Sequence, residues 1–386
     1  MAGEEHHQKS TTTQAPPHKQ HHTKHRSEPR NQAATQQASP RGASQTMRAI
    51  VFEEAGRLAL REVPDPTPGH KEVVIEVAAV GICGTDTHVF DGEFEGTVFP
   101  LIPGHEASGT VTAVGDGVTT IAVGDHVVVN PSTTCGECEF CLNGKSNLCR
   151  NWNGLGVVAS DGASAQYLKA PLANVFKLKP ETDLYEAALI EPLACAIRGY
   201  DILPRKMGEH YLVYGSGTMG LLMAQLAPRA GAASVTIVDT NPSRLEVARE
   251  IGIENIYGSA DEAGRDKWDV VIDCTGVVKA IEDGLPRVKA GGTFQHFGVA
   301  PTDATANYSP FRVYRDEISI VGTMAVLNSF GRAVEMFEAG AIQPTPMISH
   351  SFTLDDYADA LDMFRKGTGR KLQIRPNDTE SRTLHA

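Results

Sequence analysis

The sequence predicts an α/β protein in two parts, a β-rich domain and a doubly wound parallel sheet covered by helices. From Met47 to about Asn130, β-branched runs alternate with Gly, Asp and Pro turns. From about Leu184 onward, apolar strands alternate with helical segments, the pattern of a parallel sheet. The 386 residues suit about two domains.

The first 46 residues are rich in Gln, Thr, Ser, Pro and His and nearly devoid of large apolar side chains. Such a segment cannot bury enough surface to offset its ordering entropy, so a disordered tail is expected, with Met47 as a candidate natural start. Its His6, His7, His18, His21, His22 and His25 are weak candidate metal ligands, though a solvated tail explains them as well. The strands expected next are VVIEVAAVGIC (73–83), SGTVTAVG (108–115) and DHVVVN (125–130). A helical segment, LYEAALIEPLACAIRGY, precedes the apolar strand HYLVYG (210–215). There follow GLLMAQLAPRA (helix), SVTIVD (strand), NPSRLEVAREIG (helix), DVVIDC (strand), KAIEDGLPRV (helix) and GTFQHFG (strand). Helices at 328–339 and 354–366 and a strand near Lys371–Ile374 complete the chain and are expected to rejoin the first domain.

Composition excludes several classes of function. Net charge is −12 and the globular part carries no basic stripe, which argues against a nucleic-acid partner. No apolar run is long enough to span a bilayer, and the amino end has no apolar signal core. The expectation is a cytoplasmic protein without a membrane partner. In a reducing compartment, clustered cysteines read as metal ligands rather than disulfides.

In HYLVYGSGTMGLLMAQLA, Gly215, Gly217 and Gly220 make G-x-G-x-x-G, with Thr218 and Met219 inside it. The motif follows a strand and opens a helix, as a dinucleotide site requires. One glycine permits the tight turn, one the approach of the pyrophosphate, and one close helix–strand packing. The next strand ends in Asp239, 22 residues after Gly217, where a carboxylate binds the adenosine ribose. A carboxylate there repels a 2′-phosphate, favouring NAD; Ser243 and Arg244 close by keep NADP as a second option.

Cys135, Cys138, Cys141 and Cys149 follow C-x2-C-x2-C-x7-C spacing in a loop rich in Gly, Asn, Lys and Ser. Four thiolates close a tetrahedral zinc shell and leave no position for substrate, so this lobe should be structural. Chemistry is then sought in GICGTDTHVF (81–90) and PGHEASG (103–109). Cys83, His105 and Glu106 offer three ligands from two loops, the number a catalytic zinc site uses. Glu191 in ALIEPLACA is a further candidate. Spacing alone leaves simpler explanations open: a buried small residue, a surface turn and a helix-capping carboxylate.

The chain resembles the zinc-dependent medium-chain alcohol dehydrogenases. GHEASGTVTAVGDGV is similar to that family's zinc signature, and the four-cysteine lobe and GSGTMG follow in the family's order, over about Met47 to Ile374. His105-Glu106 together with Glu191-Pro192-Leu193 is similar to the polyol branch of sorbitol, xylitol and arabinitol dehydrogenases. The resemblance implies a GroES-like β-barrel catalytic domain at 47–193 and a Rossmann domain at 194–324. It also implies a return to the first domain at 325–386. It implies catalytic zinc on Cys83, His105 and Glu106, with Glu191 as a direct or water-mediated contact. Thr85 and His88 match a proton relay. The implied reaction is oxidation of a secondary alcohol of a polyol with reduction of NAD, in a dimer or tetramer.

The sorbitol type carries an arginine after the last Rossmann strand; here Met324-Ala325 stand in GTMAVLNSF (322–330), which argues against sorbitol itself, and an arabinitol-like pentitol is the expected substrate. Phe90 is expected near the cleft by analogy. A threonine-type or other secondary alcohol dehydrogenase is the alternative enzyme, the threonine type needing a cleft arginine for a carboxylate. A catalytically silent binding relative is the alternative of another class, predicting loss of ligands or glycines that are all present. Cys195 and Cys274 are expected to be buried packing residues.

Overall fold

The structure is a computed structural model and describes residues 46–385. The tail at 1–45 and its histidines lie outside the described residues, and the first strand, Thr46–Glu54, starts one residue before Met47.

Two sheets organise the described chain. The eight-stranded sheet runs, from edge to edge, Arg382–Thr383, Ile348–Phe352, Lys371–Ile374, Glu72–Gly81, Glu106–Val114, His126–Val129 and Val175–Lys177, with Tyr167–Pro171 also pairing onto Glu72–Gly81. Strands from late in the chain therefore pair with strands from its start. Glu72–Gly81 is the pivot: it carries antiparallel partners from three separate segments. Its run of valines suits a position buried within the sheet. Phe52, Ile75, Val77, Leu101 and Tyr357 fill the core beneath.

The second sheet has six parallel strands in the order Asn255–Tyr257, Ala232–Val238, Glu209–Tyr214, Trp268–Asp273, Val288–His296, Ser319–Gly322. Numbered along the chain within this sheet, that order is 3-2-1-4-5-6, the dinucleotide-binding arrangement. Side chains alternate across it as strand geometry requires. Tyr211 and Val213 join one core layer, while Leu212 and Tyr214 join the other. Asn255–Tyr257 and Ser319–Gly322, the two edge strands, are too short to stand out in sequence.

The helix Phe330–Glu338, expected to rejoin the first domain, bridges both parts: its Phe330 ring meets Phe176 at 4.8 Å and Glu338 accepts from the Lys179 amide at 2.7 Å. Phe330, Ala333 and Val334, at helical spacing, join the core layer of the parallel sheet with Leu193 and Ile197 of the helix Ile190–Ile202. The later helix Tyr357–Arg365 packs in the first core through Tyr357, Ala360 and Leu361. The predicted helix over LYEAALIEPLACAIRGY is two, Leu184–Ala187 and Ile190–Ile202.

Candidate active site

Strand register brings the first candidate residues together. Gly81, at the end of its strand, pairs with Glu106, at the start of the next. Cys83 thus emerges beside His105 and Glu106, and their ligand atoms all lie within 4.8 Å of one another. Gly81 must lack a side chain here, because a Cβ would fall 2.0 Å from Glu106 Oε2. Cys83 caps the short helix Gly84–Phe90. The Cys83 amide donates to Asp86 Oδ2 at 2.8 Å. Asp86 Oδ1 lies 3.4 Å from His105 Nδ1, both residues being buried. Asp86 therefore braces two of the three residues, and its contact with Nδ1 leaves His105 Nε2 available as a ligand. Burial opposes a charged His105, but Asp86 and Cys83 outweigh it and hold its pKa well above the usual range.

Lys371, from the strand Lys371–Ile374 in the segment that returns to this sheet, places its ammonium against the Glu106 carboxylate and donates to Ile82 O at 2.9 Å. Both charged side chains are buried. Glu191 sits in the first turn of Ile190–Ile202, where Pro192 costs no helical hydrogen bond. Glu191 is not part of the compact three-residue group. It opens on the same cleft, its carboxyl pushed up to about 7 by burial and by the Glu106 charge. Cys195 Sγ donates to Glu191 Oε1 at 3.5 Å. The Thr85 hydroxyl lies 3.9 Å from Cys83 Sγ. His88 also lines the cleft, with Nδ1 2.8 Å from the Glu93 carboxylate at the surface.

The cleft, about 740 Å³, reaches from these residues to the glycine-rich turn at Ser216, Gly217, Thr218 and Met219. The three glycines differ in kind. Gly215 has φ +95°, a left-handed conformation. A Cβ on Gly217 would meet nothing within 4 Å, and one on Gly220 would lie 1.8 Å from Gly215 O. Asp239 accepts hydrogen bonds from the amides of Ser216 (2.7 Å) and Asn241 (2.8 Å), which fixes its carboxylate beside the turn. Arg244 also lines the cleft, Nη1 being 4.0 Å from Asp239 Oδ2.

Cys135, Cys138, Cys141 and Cys149 form a second compact group. Cys149 Sγ lies 3.4 Å from Cys135 Sγ and 3.9 Å from Cys138 Sγ. Disulfide sulfurs would be about 2 Å apart. Four sulfurs at tetrahedral zinc distances of about 2.3 Å stand about 3.8 Å apart. Backbone amides of Cys141 and Arg150 draw Cys138 down to about 6. Burial and Cys149 push Cys141 up to about 12. Thiols this close ionise together only around a cation, so the donor set fits zinc. The sulfur, nitrogen and oxygen set at Cys83, His105 and Glu106 fits it too.

Two residues of the site escaped the sequence reading. Asp86 had a signal, a carboxylate three residues after Cys83 in the same turn; Lys371 had none. Phe90 does not line the cleft: it packs on Phe52 at 5.1 Å, under Arg365. Phe94 and Trp152 supply the aromatic wall. Cys195 and Cys274 are only partly buried, and both line the cleft.

Residues 69–180 match the alcohol dehydrogenase GroES-like domain, and residues 218–339 match the zinc-binding dehydrogenase domain. D-arabinitol dehydrogenase 1 of Uromyces fabae is 35% identical over 86% of this chain and 97% of its own length. D-altritol 5-dehydrogenase of Agrobacterium fabrum is 34% identical over 80% of this chain and 94% of its own. The chain belongs to the zinc-dependent medium-chain alcohol dehydrogenase family. Within it, this dehydrogenase groups with the polyol branch. It is an oxidoreductase whose cofactors are zinc and a nicotinamide dinucleotide, built from a GroES-like and a Rossmann domain. A crystal structure described as a zinc-binding dehydrogenase of Sinorhizobium meliloti, bound to NADP, superposes with a TM-score of 0.83 at 32% identity, covering 86% of this dehydrogenase and 100% of that chain. Among the described residues, no helix is long and apolar enough to cross a membrane.

Proposed function

We propose that this dehydrogenase oxidises a secondary hydroxyl of an acyclic polyol, an arabinitol-like pentitol, to the ketose, with NAD as hydride acceptor. The observation that carries the reading is one cleft in which Cys83, His105, Glu106 and Glu191 face the glycine-rich turn. The likeness to the arabinitol and altritol dehydrogenases supports the substrate class.

When bound, zinc held by Cys83, His105 and Glu106 supplies Lewis acidity to the substrate hydroxyl, and the dinucleotide supplies the hydride acceptor. The protein's own part is positioning and proton handling. Asp86 holds Cys83 and His105 in fixed relation. Lys371 balances the buried Glu106 charge, so that the site does not carry two unpaired carboxylates. Glu191, Thr85 and Ser132 present polar groups to a substrate with several hydroxyls, and Phe94, Trp152 and Phe297 exclude water. The Thr85 hydroxyl accepts the substrate's hydroxyl proton as it gives up its own toward the His88 imidazole, which stands against Glu93 at the surface. Cys135, Cys138, Cys141 and Cys149 hold a structural zinc. Gly215, Gly217, Thr218, Met219 and Gly220 cradle the pyrophosphate at the helix amino end. Asp239 receives the ribose hydroxyls, and its fixed charge favours NAD over NADP, with Arg244 offsetting part of the repulsion.

Initial rates over D-arabinitol, xylitol, sorbitol, L-threonine and simple alcohols, each with NAD and with NADP, test the reading in metal-stripped and zinc-restored protein. Zinc-dependent turnover of a pentitol with NAD is the expected result. Faster turnover of threonine or of a simple alcohol would overturn the substrate class, and faster rates with NADP would overturn the role of Asp239.

A further inference from the structure

The four-cysteine lobe does more than hold its own loop. Asn147 lies in the short 3-10 turn Ser146–Leu148, between the third and fourth cysteines. It is 5% exposed in a lobe whose helix, Glu139–Leu142, buries no residue. Its Nδ2 donates at 3.0 Å to the carbonyl of Met324, 177 residues away. A carbonyl can only accept, so this contact settles which way the amide faces. Asn147 Oδ1 is buried without a partner, so the side chain is held by its donor alone.

The segment that receives this bond is itself unusual. Met324 and Ala325 line the cleft with Cys83, His105 and Glu191. Ala325 has φ +44° and Asn328 φ +51°, left-handed conformations that a non-glycine residue keeps only when its surroundings hold it there. The segment is anchored upstream by Thr323 N, which donates to His296 O at 3.1 Å, and downstream by the buried Val326 and Leu327. Between those anchors, the Met324 carbonyl accepts from Asn147.

We propose that Asn147 is a positioning residue for the reaction: its amide fixes the Met324–Ala325 wall of the cleft, so that the cysteine lobe shapes the alcohol site from the other domain. The proposal rests on reading that wall as part of the alcohol site. A single buried hydrogen bond supports an effect of about five- to tenfold.

The test uses the full chain with Asn147→Ala, Asn147→Asp and Asn147→Gln. Asp keeps the size, removes the donor and sets a carboxylate against the carbonyl; Gln keeps a donor. Two quantities are read: hydrogen exchange of the peptide over residues 319–330, and KM and kcat for whichever alcohol the wild type turns over best. The expected result for Asn147→Ala is faster exchange at Gly322–Thr323 and a KM about five- to tenfold higher, with kcat within about twofold. Asn147→Asp is expected to exceed it, and Asn147→Gln to recover part of both effects. Unchanged exchange in the Ala and Asp variants would overturn the proposal. So would exchange rising throughout the chain with kcat falling as far as KM rises, the mark of general loosening. Faster local exchange with unchanged KM would remove the wall from the alcohol site. A wild type that turns over no polyol would leave the exchange result intact while refuting the substrate class, so the two failures are separable.

Discussion

Gly217→Ala and Gly220→Ala, only three residues apart, should fail in opposite ways. Gly217 has φ −76° and ψ −176°, extended backbone that alanine adopts freely, and its added methyl would meet no atom of the protein within 4 Å. Alanine at a compatible position gains about 0.4–1 kcal/mol through the unfolded chain. At a helix N-cap it gives back a similar amount relative to glycine. The two cancel to within about 1 kcal/mol, so the melting temperature should stay within about 3 °C of wild type. The same methyl occupies the space through which a pyrophosphate reaches the helix amino end. NADH affinity should therefore fall by about ten- to a hundredfold, or 1.4–2.8 kcal/mol.

For Gly220→Ala the methyl would lie 1.8 Å from the Gly215 carbonyl oxygen, a backbone atom that cannot swing aside. Overpacking of this kind costs about 1–3 kcal/mol or more. The melting temperature should drop by about 3–10 °C before any ligand is added. Thermal unfolding of the ligand-free proteins, followed by titration with NADH monitored by its fluorescence, separates the two. Wild-type NADH affinity in Gly217→Ala would refute the pyrophosphate placement. An unchanged melting temperature in Gly220→Ala would refute the packing argument.

Cys83→Ser should reduce bound zinc from two to one per chain and abolish turnover with little change in unfolding temperature, as metal analysis and calorimetry would show; wild-type zinc content with wild-type turnover would sink the assignment. Cys149→Ser should lose the other zinc, and because the lobe has little core of its own, limited proteolysis should then cut within 135–149. In metal-stripped protein, Lys371→Met leaves Glu106 charged and unpaired in a buried site, so denaturant unfolding should show a loss of about 3–5 kcal/mol; a loss below about 1 kcal/mol would mean that the pair is not buried in solution. The Arg287 guanidinium and the Tyr214 hydroxyl outweigh burial and hold the Asp283 carboxyl below its usual 3.8. That contribution is present above about pH 4 and lost as pH falls through the lowered value. Asp283→Asn should therefore flatten the acid limb of the stability curve below about pH 4, and an unchanged limb would show that the carboxylate is not paired in the native protein.

Local pattern was legible wherever chemistry is contiguous in the chain. The His105-Glu106 pair was marked only by the resemblance to a family signature, but the glycine-rich turn and the cysteine lobe each lie within one short stretch, and their spacing is itself the signal. The parallel sheet was legible for the same reason, since each strand and helix repeats its own period. Its two short edge strands were not, nor was it legible that the helix Phe330–Glu338, which meets Phe176 of the first sheet, also packs on the parallel sheet. An amphipathic stripe reports that a face is buried, not what it is buried against.

The amino-acid sequence by itself determined the donor types, the dinucleotide motif and the strand–helix alternation, because these depend on covalent neighbours and on backbone geometry. Tertiary structure alone decided that Gly81 stands opposite Glu106, that Lys371 arrives from the far end of the chain to neutralise it, and that Asn147 reaches Met324. Those contacts follow from register and from the closure of late strands onto early ones. Registers are chosen by the packing of the whole core, and no local period encodes them.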